Sequence, residues 1–212
     1  MKGARAEIMK RLGGDAFNSI ERDKPPVVPS YVKQPQDELV QIFMDHARSA
    51  LCSVEVIPAL SKVPAAVEAF VDDYGLSQNV VVSEPLAVLR WHKTGLTPGP
   101  LKTSKDGIVA VTDCYAGVAE TGTLVTLTSG RRDARLNFAS STHIVVLRAN
   151  DIVGPYEAVW TRMEQEKIHI PRSVNFITGP SRTADIEQTI EIGAHGPRQV
   201  HIMLISSTLP PG

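Results

Sequence analysis

The chain has 212 residues, which is enough for one ordinary domain with a sizeable core. Its 22 basic and 23 acidic residues nearly balance, so the composition gives no reason to expect a nucleic-acid groove or a membrane-surface patch. No apolar run approaches the roughly 20 residues that cross a bilayer, and residues 1–7 lack the apolar core of a secretion signal. We therefore expect a soluble cytoplasmic protein.

The residues that usually hold metals or cofactors are sparse. Cys52 and Cys114 are too few for a disulfide framework and lack the clustered spacing of an iron–sulfur or zinc site. The six histidines share no ligand spacing, such as a pair one helical turn apart beside a carboxylate. No serine-hydrolase elbow, dinucleotide fingerprint or Walker loop occurs. We expect no metal and no cofactor in this chain.

The first part of the chain shows helical spacing separated by a proline-rich connector. Residues 3–13 and 37–51 have apolar residues at helical intervals, whereas residues 24–36 contain four prolines and cannot be helical throughout. We predict an N-terminal helix and linker over 1–36, followed by a single α/β domain over 37–212. A homodimer that uses the N-terminal segment is one possible assembly.

Strand and helix signals then alternate along the domain. Helices are predicted over Ser61–Tyr74 and Pro155–Glu166. Several strands are apolar throughout, as expected for central strands that are covered on both faces. The predicted strands are Ser53–Ile57, Asn79–Ser83, Ile108–Thr112, Gly122–Thr128, His143–Leu147, Ser173–Thr178 and Gln199–Ser206. This pattern predicts a three-layer α/β domain with a mainly parallel, twisted sheet.

The segment 173–187 changes from an apolar strand to a glycine turn and then to polar donors. Gly179 permits backbone angles that other residues avoid, and Ser181 or Thr183 is suited to cap a following helical turn whose N–H groups favour an anion. Arg182 adds a guanidinium that can clamp the same anion. The alternative is a strand-to-helix connection in which these polar residues only cap the helix and pair with nearby carboxylates.

A second polar constellation lies in residues 116–124. Glu120 is a candidate catalytic residue, as a general base or nucleophile, and Thr121, Gly122 and Thr123 offer neutral donors and close backbone approach. The alternative is that Glu120 holds its loop through backbone N–H groups or pairs with an arginine of residues 131–135. If this loop and residues 179–183 converge, they would form a pocket for an acyl, carboxylate or phosphate-bearing ligand.

Three further residues are weaker candidates. His195 and Arg198 would complete the pocket, but Gly196 and Pro197 between them also fit a plain turn. His143 begins an apolar strand, which favours a structural role. Residues 90–107 form a glycine- and proline-rich loop with three lysines, suited either to a solvated surface or to closing over an anionic ligand.

Three sequence blocks carry a family resemblance. The blocks AGVAETGTLVTLTS (116–129), THIVVLRANDIV (142–153) and ITGPSRTADIEQTIEIGAHGPRQVHIMLI (177–205) together resemble the lactate-utilisation protein C family of LUD-domain proteins. The resemblance covers roughly residues 105–206. It implies a fold similar to glucosamine-phosphate isomerase, ribose-phosphate isomerase and coenzyme A transferases. In open sheets of that kind ligands bind beyond the carboxyl ends of strands, which directs attention to the loops after Val111, Leu127, Leu147 and Thr178.

Two hypotheses of function follow. The resemblance implies a subunit of a system that oxidises L-lactate to pyruvate, binding substrate or an anion beside iron–sulfur partner proteins that carry the clusters. The residues around Glu120 instead allow a free-standing transferase, isomerase or hydrolase that acts on an acyl, coenzyme A or phosphate-bearing substrate.

Overall fold

The computed structural model describes residues 34–101, 107–128, 133–184, 190–193 and 195–206. The predicted helix over 3–13 and most of the proline-rich connector lie outside these ranges, so the division at residue 36 stays a prediction. Numbered in chain order, the strands are β1 Ser53–Ile57, β2 Asn79–Val82, β3 Thr97–Pro98, β4 Val109–Asp113, β5 Ala116–Val118, β6 Thr123–Leu127, β7 Thr142–Arg148, β8 Ile152–Val153, β9 Val174–Ile177, β10 Arg182–Ala184, β11 Ile190–Ile192 and β12 Gln199–Ile205.

A six-stranded sheet forms the centre of the molecule. Its strand order is β1-β12-β7-β4-β2-β3, and every neighbouring pair is parallel. Six of the seven residues of β7 are buried, and so are six of the seven in β12. Such continuous burial arises because layers cover both faces of these strands.

Helices cover the two faces of this sheet. The helices are α1 Gln36–Ser49, α2 Val63–Asp73, α3 Glu84–Ala87 and α4 Tyr156–Gln165. Phe43 of α1 is fully buried in a cluster that includes Leu147, whereas Val67 of α2 packs in a second cluster with Ile144. Since successive residues of β7 point to opposite faces, α1 and α2 lie on opposite sides of the sheet. The predicted three-layer, mainly parallel α/β architecture is confirmed.

A smaller sheet lies on the same side as α1. Its order is β8-β5-β6-β9, with β6 antiparallel to both β5 and β9. Leu124 and Ile177 connect it to the core cluster of α1, and α4 packs against it through Val159 and Met163. Two of the predicted strands therefore belong to this second sheet and not to the parallel one.

The second sheet changes where its loops lie. The sequence predicts that the loop after Thr178 lies at the carboxyl edge of the parallel sheet. This prediction is wrong, because β9 belongs to the second sheet and runs antiparallel to β6. Ser181 donates its N–H to Pro197 O, two residues before β12 begins. The loop after Thr178 thus lies at the amino edge of the parallel sheet, beside the start of β12.

Within the described ranges, no helix combines the length and apolar character needed to cross a bilayer.

Candidate functional site

The two polar loops that the sequence indicates meet in the structure. Thr123 begins β6 and Thr178 follows β9, and the antiparallel pairing of these strands brings the two hydroxyls to 2.7 Å. Thr123 is fully buried whereas Thr178 is exposed, so this contact joins the protein interior to the surface. The loop of residues 116–124 therefore meets the end of β9, directly before residues 179–183, at the amino edge of the parallel sheet.

Four hydroxyl groups form a closed cluster at this junction. Thr123 Oγ1 lies 2.6 Å from Thr121 Oγ1, 2.8 Å from Tyr156 Oη and 2.7 Å from Thr178 Oγ1, and Thr121 Oγ1 lies 2.8 Å from Tyr156 Oη. Each hydroxyl has one proton to donate, so four contacts use all four protons. In this arrangement the cluster presents oxygen lone pairs outward, and a ligand gains a donor only if a hydroxyl rotates.

Tyr156 is a member of this cluster that the sequence motifs do not indicate. It is the first residue of α4 and its ring lies 5.4 Å from that of Phe176 on β9. The only sequence signal is its position at the start of a helix that packs on the second sheet. Its hydroxyl becomes part of the site because β6 and β9 meet beneath that helix end.

The carboxyl end of α1 supports both loops. Gly122 has φ +67° and Gly179 has φ +80°, the left-handed region that favours glycine. A Cβ on Gly122 would overlap the backbone nitrogen of Ala47, and a Cβ on Gly179 would overlap the carbonyl oxygen of Ala50. Both glycines are needed for close packing of the loops on the helix end.

One side chain of α1 also fixes the first loop. His46 Nδ1 donates a hydrogen bond of 2.7 Å to the carbonyl oxygen of Ala119, next to Glu120. His46 is not among the sequence candidates, because a histidine on a charged helical face carries no signal of its own. In the structure it ties the last turn of α1 to the loop with the candidate carboxylate.

The segment after Pro180 differs from its predicted form. Residues 182–184 form β10, which pairs antiparallel with β11, so the prediction of a helical turn capped by Ser181 or Thr183 is wrong. The N–H of Ser181 donates to Pro197 O at 2.8 Å, and the carbonyl of Ser181 accepts from the Gly193 N–H at 2.8 Å. The backbone of Ser181 is thus committed to the fold, and anion binding here relies on side chains.

Three of the sequence candidates lie close to this turn along the chain. Arg182, His195 and Arg198 are all exposed. The backbone of Gly193 lies against the Arg198 side chain, and Gly193 directly follows Ile192, the β11 partner of Arg182. Among the described residues, neither arginine forms an ion pair. The structure thus brings Arg182 and Arg198 to the same end of the paired strands β10 and β11, and His195 directly precedes Gly196, whose backbone lies against the Ser181 side chain.

Cys52 lies beneath the same loop. Burial raises the pKa of its thiol to about 11, although a hydrogen bond from the Gly179 backbone and the charge of Arg182 both act to lower it. The thiol is therefore neutral near pH 7, which is the wrong state for a nucleophile. Its contact with Gly179 makes it part of the support of the loop.

Glu120 is half-buried at the edge of the site. Its N–H donates to the Gly154 carbonyl at 3.1 Å, which fixes the backbone, while its carboxylate has no hydrogen-bond or ionic partner among the described residues. Of the arginines suggested as alternative partners, Arg135 pairs with Asp133, and residues 131 and 132 lie outside the described ranges. A carboxylate on a backbone fixed in this way is suited to accept a proton from a ligand.

His143 has the structural position that the sequence favours. It is fully buried in β7, and its Nε2 lies 2.8 Å from Thr112 Oγ1 on β4. Burial lowers its pKa to about 4, so the ring is neutral near pH 7. The described part of the chain contains no group of three or more histidine, cysteine, aspartate or glutamate side chains arranged to hold a metal ion.

Comparison with known protein families gives one clear match. The family model described as "LUD domain" matches residues 87–205. That range contains β3 to β12, and it therefore includes both loops of the site.

Two curated bacterial proteins are similar over nearly the whole chain. A lactate utilization protein C of Bacillus licheniformis is 27% identical over 90% of this chain and 89% of its own length. The protein of the same name from Anoxybacillus flavithermus is 25% identical over 94% of this chain and 96% of its own length.

A solved structure has a related fold. The crystal structure of a DUF162 family protein from Deinococcus radiodurans superposes with a TM-score of 0.60 at 18% identity, covering 81% of this chain and 99% of that one. At this identity the likeness concerns the fold alone.

Proposed function

Because the chain belongs to the LUD domain family, we propose that it is a subunit of a cytoplasmic system that oxidises L-lactate to pyruvate, and that its convergent loops bind a small carboxylate. Curated relatives that align with nearly all of this chain bear the name lactate utilization protein C. The observation that carries the proposal is the meeting of the two family blocks at Thr123 and Thr178, 2.7 Å apart.

The arrangement of charge around that junction supports a carboxylate ligand. Arg182 and Arg198 are exposed beside the Ser181 turn and can form charge-assisted hydrogen bonds with a carboxylate. The hydroxyls of Thr121 and Thr178 can rotate to donate to the same ligand or to the α-hydroxyl of lactate. The ligand would therefore lie between the arginines and the hydroxyl cluster.

Glu120 would then act on the proton of the substrate hydroxyl. Oxidation of L-lactate to pyruvate breaks one O–H and one C–H bond and releases two electrons and two protons. Glu120 would accept the hydroxyl proton, and the proton from the C–H bond would pass to solvent as the two electrons leave. The electrons pass to iron–sulfur partner proteins, which hold the clusters in this proposal. The role of this chain is to bind and orient the substrate and to move a proton.

Growth on lactate tests the role of the protein. Deletion of its reading frame with intact neighbours should impair growth on L-lactate, and the wild-type gene should restore it. The Arg182→Ala variant should restore growth poorly, whereas Arg172→Ala, which changes an exposed arginine before β9, should restore it fully. Normal growth of the deletion strain on lactate would remove the proposal.

Calorimetry tests the ligand separately. Titration of the purified chain with L-lactate and pyruvate should show binding that weakens on Arg182→Ala by roughly tenfold or more, as expected for the loss of a charged hydrogen bond. If impaired growth coincides with no binding to the isolated chain, the subunit has a role in the system but the site as proposed is wrong.

The carboxylate of Glu120, which has no partner among the described residues, supports a second candidate, a free-standing transferase, isomerase or hydrolase. Such an enzyme would use Glu120 as a base or nucleophile on an acyl, coenzyme A or phosphate-bearing substrate. Purified protein would then turn over one of these substrates without partners, and Glu120→Gln would abolish the turnover. Glu164→Gln on the outer face of α4 is a matched control that should leave it unchanged. Turnover that survives Glu120→Gln would eliminate this candidate.

A further inference from the structure

A separate groove lies on the opposite face of the parallel sheet from the site described above. It runs between the first turn of α2 and residues 88–94, and its volume is about 530 Å³. We call it the basic groove. Because α2 follows the carboxyl end of β1, the first turn of α2 places one wall of the groove near that edge of the sheet, where open α/β sheets commonly bind ligands. Its volume is within the range of small-molecule sites.

Three cationic side chains line the basic groove. They are Lys62, Arg90 and Lys93, and all three are exposed, while no aspartate or glutamate is among its described wall residues. The nearby carboxylate of Glu68 accepts a hydrogen bond from the Gly95 N–H. Since the whole chain has a formal net charge of −1, this concentration of positive charge is local and favours an anion.

The remaining wall is apolar. Val88 is 84% exposed, and Leu89 and Pro64 lie beside it in the same groove. An exposed apolar side chain contributes nothing to binding of an inorganic anion but is stabilised by contact with an apolar or planar group. The groove thus combines cations with an apolar surface, and its ligand should do the same.

We propose that the basic groove binds an organic phosphate, with the phosphate groups among Lys62, Arg90 and Lys93 and the organic part against Val88 and Leu89. Several neighbouring positive charges favour a group that carries two or more negative charges, which a phosphate ester or polyphosphate supplies and a simple monocarboxylate does not. This site is distinct from the loops at Thr123 and Arg182, and it goes beyond the proposed role in lactate oxidation.

Calorimetric titration with ATP as the probe tests the proposal, since ATP joins a polyphosphate to a planar base. ATP should bind one site per chain. Tripolyphosphate and adenosine, which represent its two halves, should each bind more weakly. Raising NaCl from about 50 to about 300 mM should weaken ATP binding, because salt screens charges on an exposed surface.

Charge-reversal variants locate the site. Lys93→Glu should weaken ATP binding by at least about tenfold, because it replaces an attraction with a repulsion. Arg172→Glu makes the same change in net charge on the segment before β9 and should leave the affinity within about twofold. The urea unfolding midpoint of each variant shows whether it is folded. If Lys93→Glu is not folded, Arg90→Glu is tested in its place.

Four results would overturn the proposal. The first is that the wild type does not bind ATP, and the second is that Arg172→Glu weakens ATP binding as much as Lys93→Glu does. The third is that Arg182→Ala abolishes ATP binding while Lys93→Glu retains it. The fourth is that ATP and tripolyphosphate bind with equal affinity. The last would mean that the apolar wall takes no part.

Discussion

Gly179 packs against the carbonyl of Ala50, so that the loop after β9 rests directly on the end of α1. The Cβ that any other residue would carry at position 179 would overlap that oxygen and lie 3.1 Å from the Ala50 carbonyl carbon. Gly179 also has φ +80°, a conformation that residues with a Cβ adopt at a cost. Loop position and helix end are therefore coupled at this one contact.

Gly179→Ala should destabilise the fold strongly. Backbone strain of about 1–2 kcal/mol adds to a clash with backbone atoms of about 1–3 kcal/mol, so the free energy of unfolding should fall by roughly 2–5 kcal/mol. Gly75→Ala is the control, because Gly75 has φ +60° and no atom lies within 4 Å of the place that a methyl group would take, so this variant carries the strain alone. Urea unfolding measures both, and equal losses would contradict the packing explanation.

Thr123→Val should leave the hydroxyl cluster without its centre. Valine has nearly the same shape but cannot bond to Thr121, Tyr156 or Thr178, which lie within 2.8 Å of Thr123 Oγ1. Partially buried hydroxyls that lose a partner cost about 1–3 kcal/mol, and urea unfolding should show a loss of that size. Thr161→Val on the exposed face of α4 should change stability by less than about 1 kcal/mol. A neutral Thr123→Val would mean that the hydroxyl contacts of Thr123 do not stabilise the fold.

The parallel sheet is the part of the fold that sequence patterns predict best. The apolar runs locate β4, β7 and β12 within one residue at each end, because strands covered on both faces contain few polar residues. Apolar runs do not indicate which strands pair with each other. β6 is buried throughout like the central strands, and only its antiparallel pairing with β9 assigns it to the second sheet.

The site is partly predictable for a related reason. The sequence predicts an unusual backbone conformation at Gly179, and its positive φ agrees. At Gly122 the sequence predicts close approach of a ligand, but in the structure the backbone of Ala47 lies there. Serine, arginine and threonine after Pro180 fit a helix cap, which is why the sequence predicts a helix start there. The same residues also fit a β-strand. Whether they form a helix or a strand depends on pairing with β11, and the propensities of residues 181–184 carry no information about that pairing.

Cys52 should be unreactive toward a thiol reagent in the native protein. Burial raises the pKa of its thiol to about 11, so near pH 8 the reactive thiolate is scarce and sterically covered. Cys114 is buried as well, so titration with Ellman's reagent in buffer should show no fast reaction of either cysteine. In urea the same titration should show two reactive thiols. Gly179→Ala should accelerate labelling of Cys52, since it displaces the loop above it. Unchanged labelling in that variant would contradict the contact between loop and thiol.

Stability should decrease as pH falls from about 6.5 to about 4, because two histidines are held neutral by burial. Burial lowers the pKa of His143 and of His201 to about 4, below the ordinary value of 6.5. Between those values the unfolded chain binds more protons than the folded one, so acid favours unfolding, and the full stabilisation is present above pH 6.5.

His143 gives the cleaner test of this pH dependence. Near His201, Glu55 has a pKa that burial raises, which opposes the effect at acid pH, whereas the side chain that contacts the His143 ring nitrogen is the uncharged Thr112. From pH 7 to pH 5, His143 should account for a loss of about 2 kcal/mol in the free energy of unfolding. His143→Gln keeps a polar side chain without a titrating group, so urea unfolding of that variant should show a pH dependence shallower by this amount. An identical dependence in wild type and variant would mean that His143 is protonated without difficulty inside the fold.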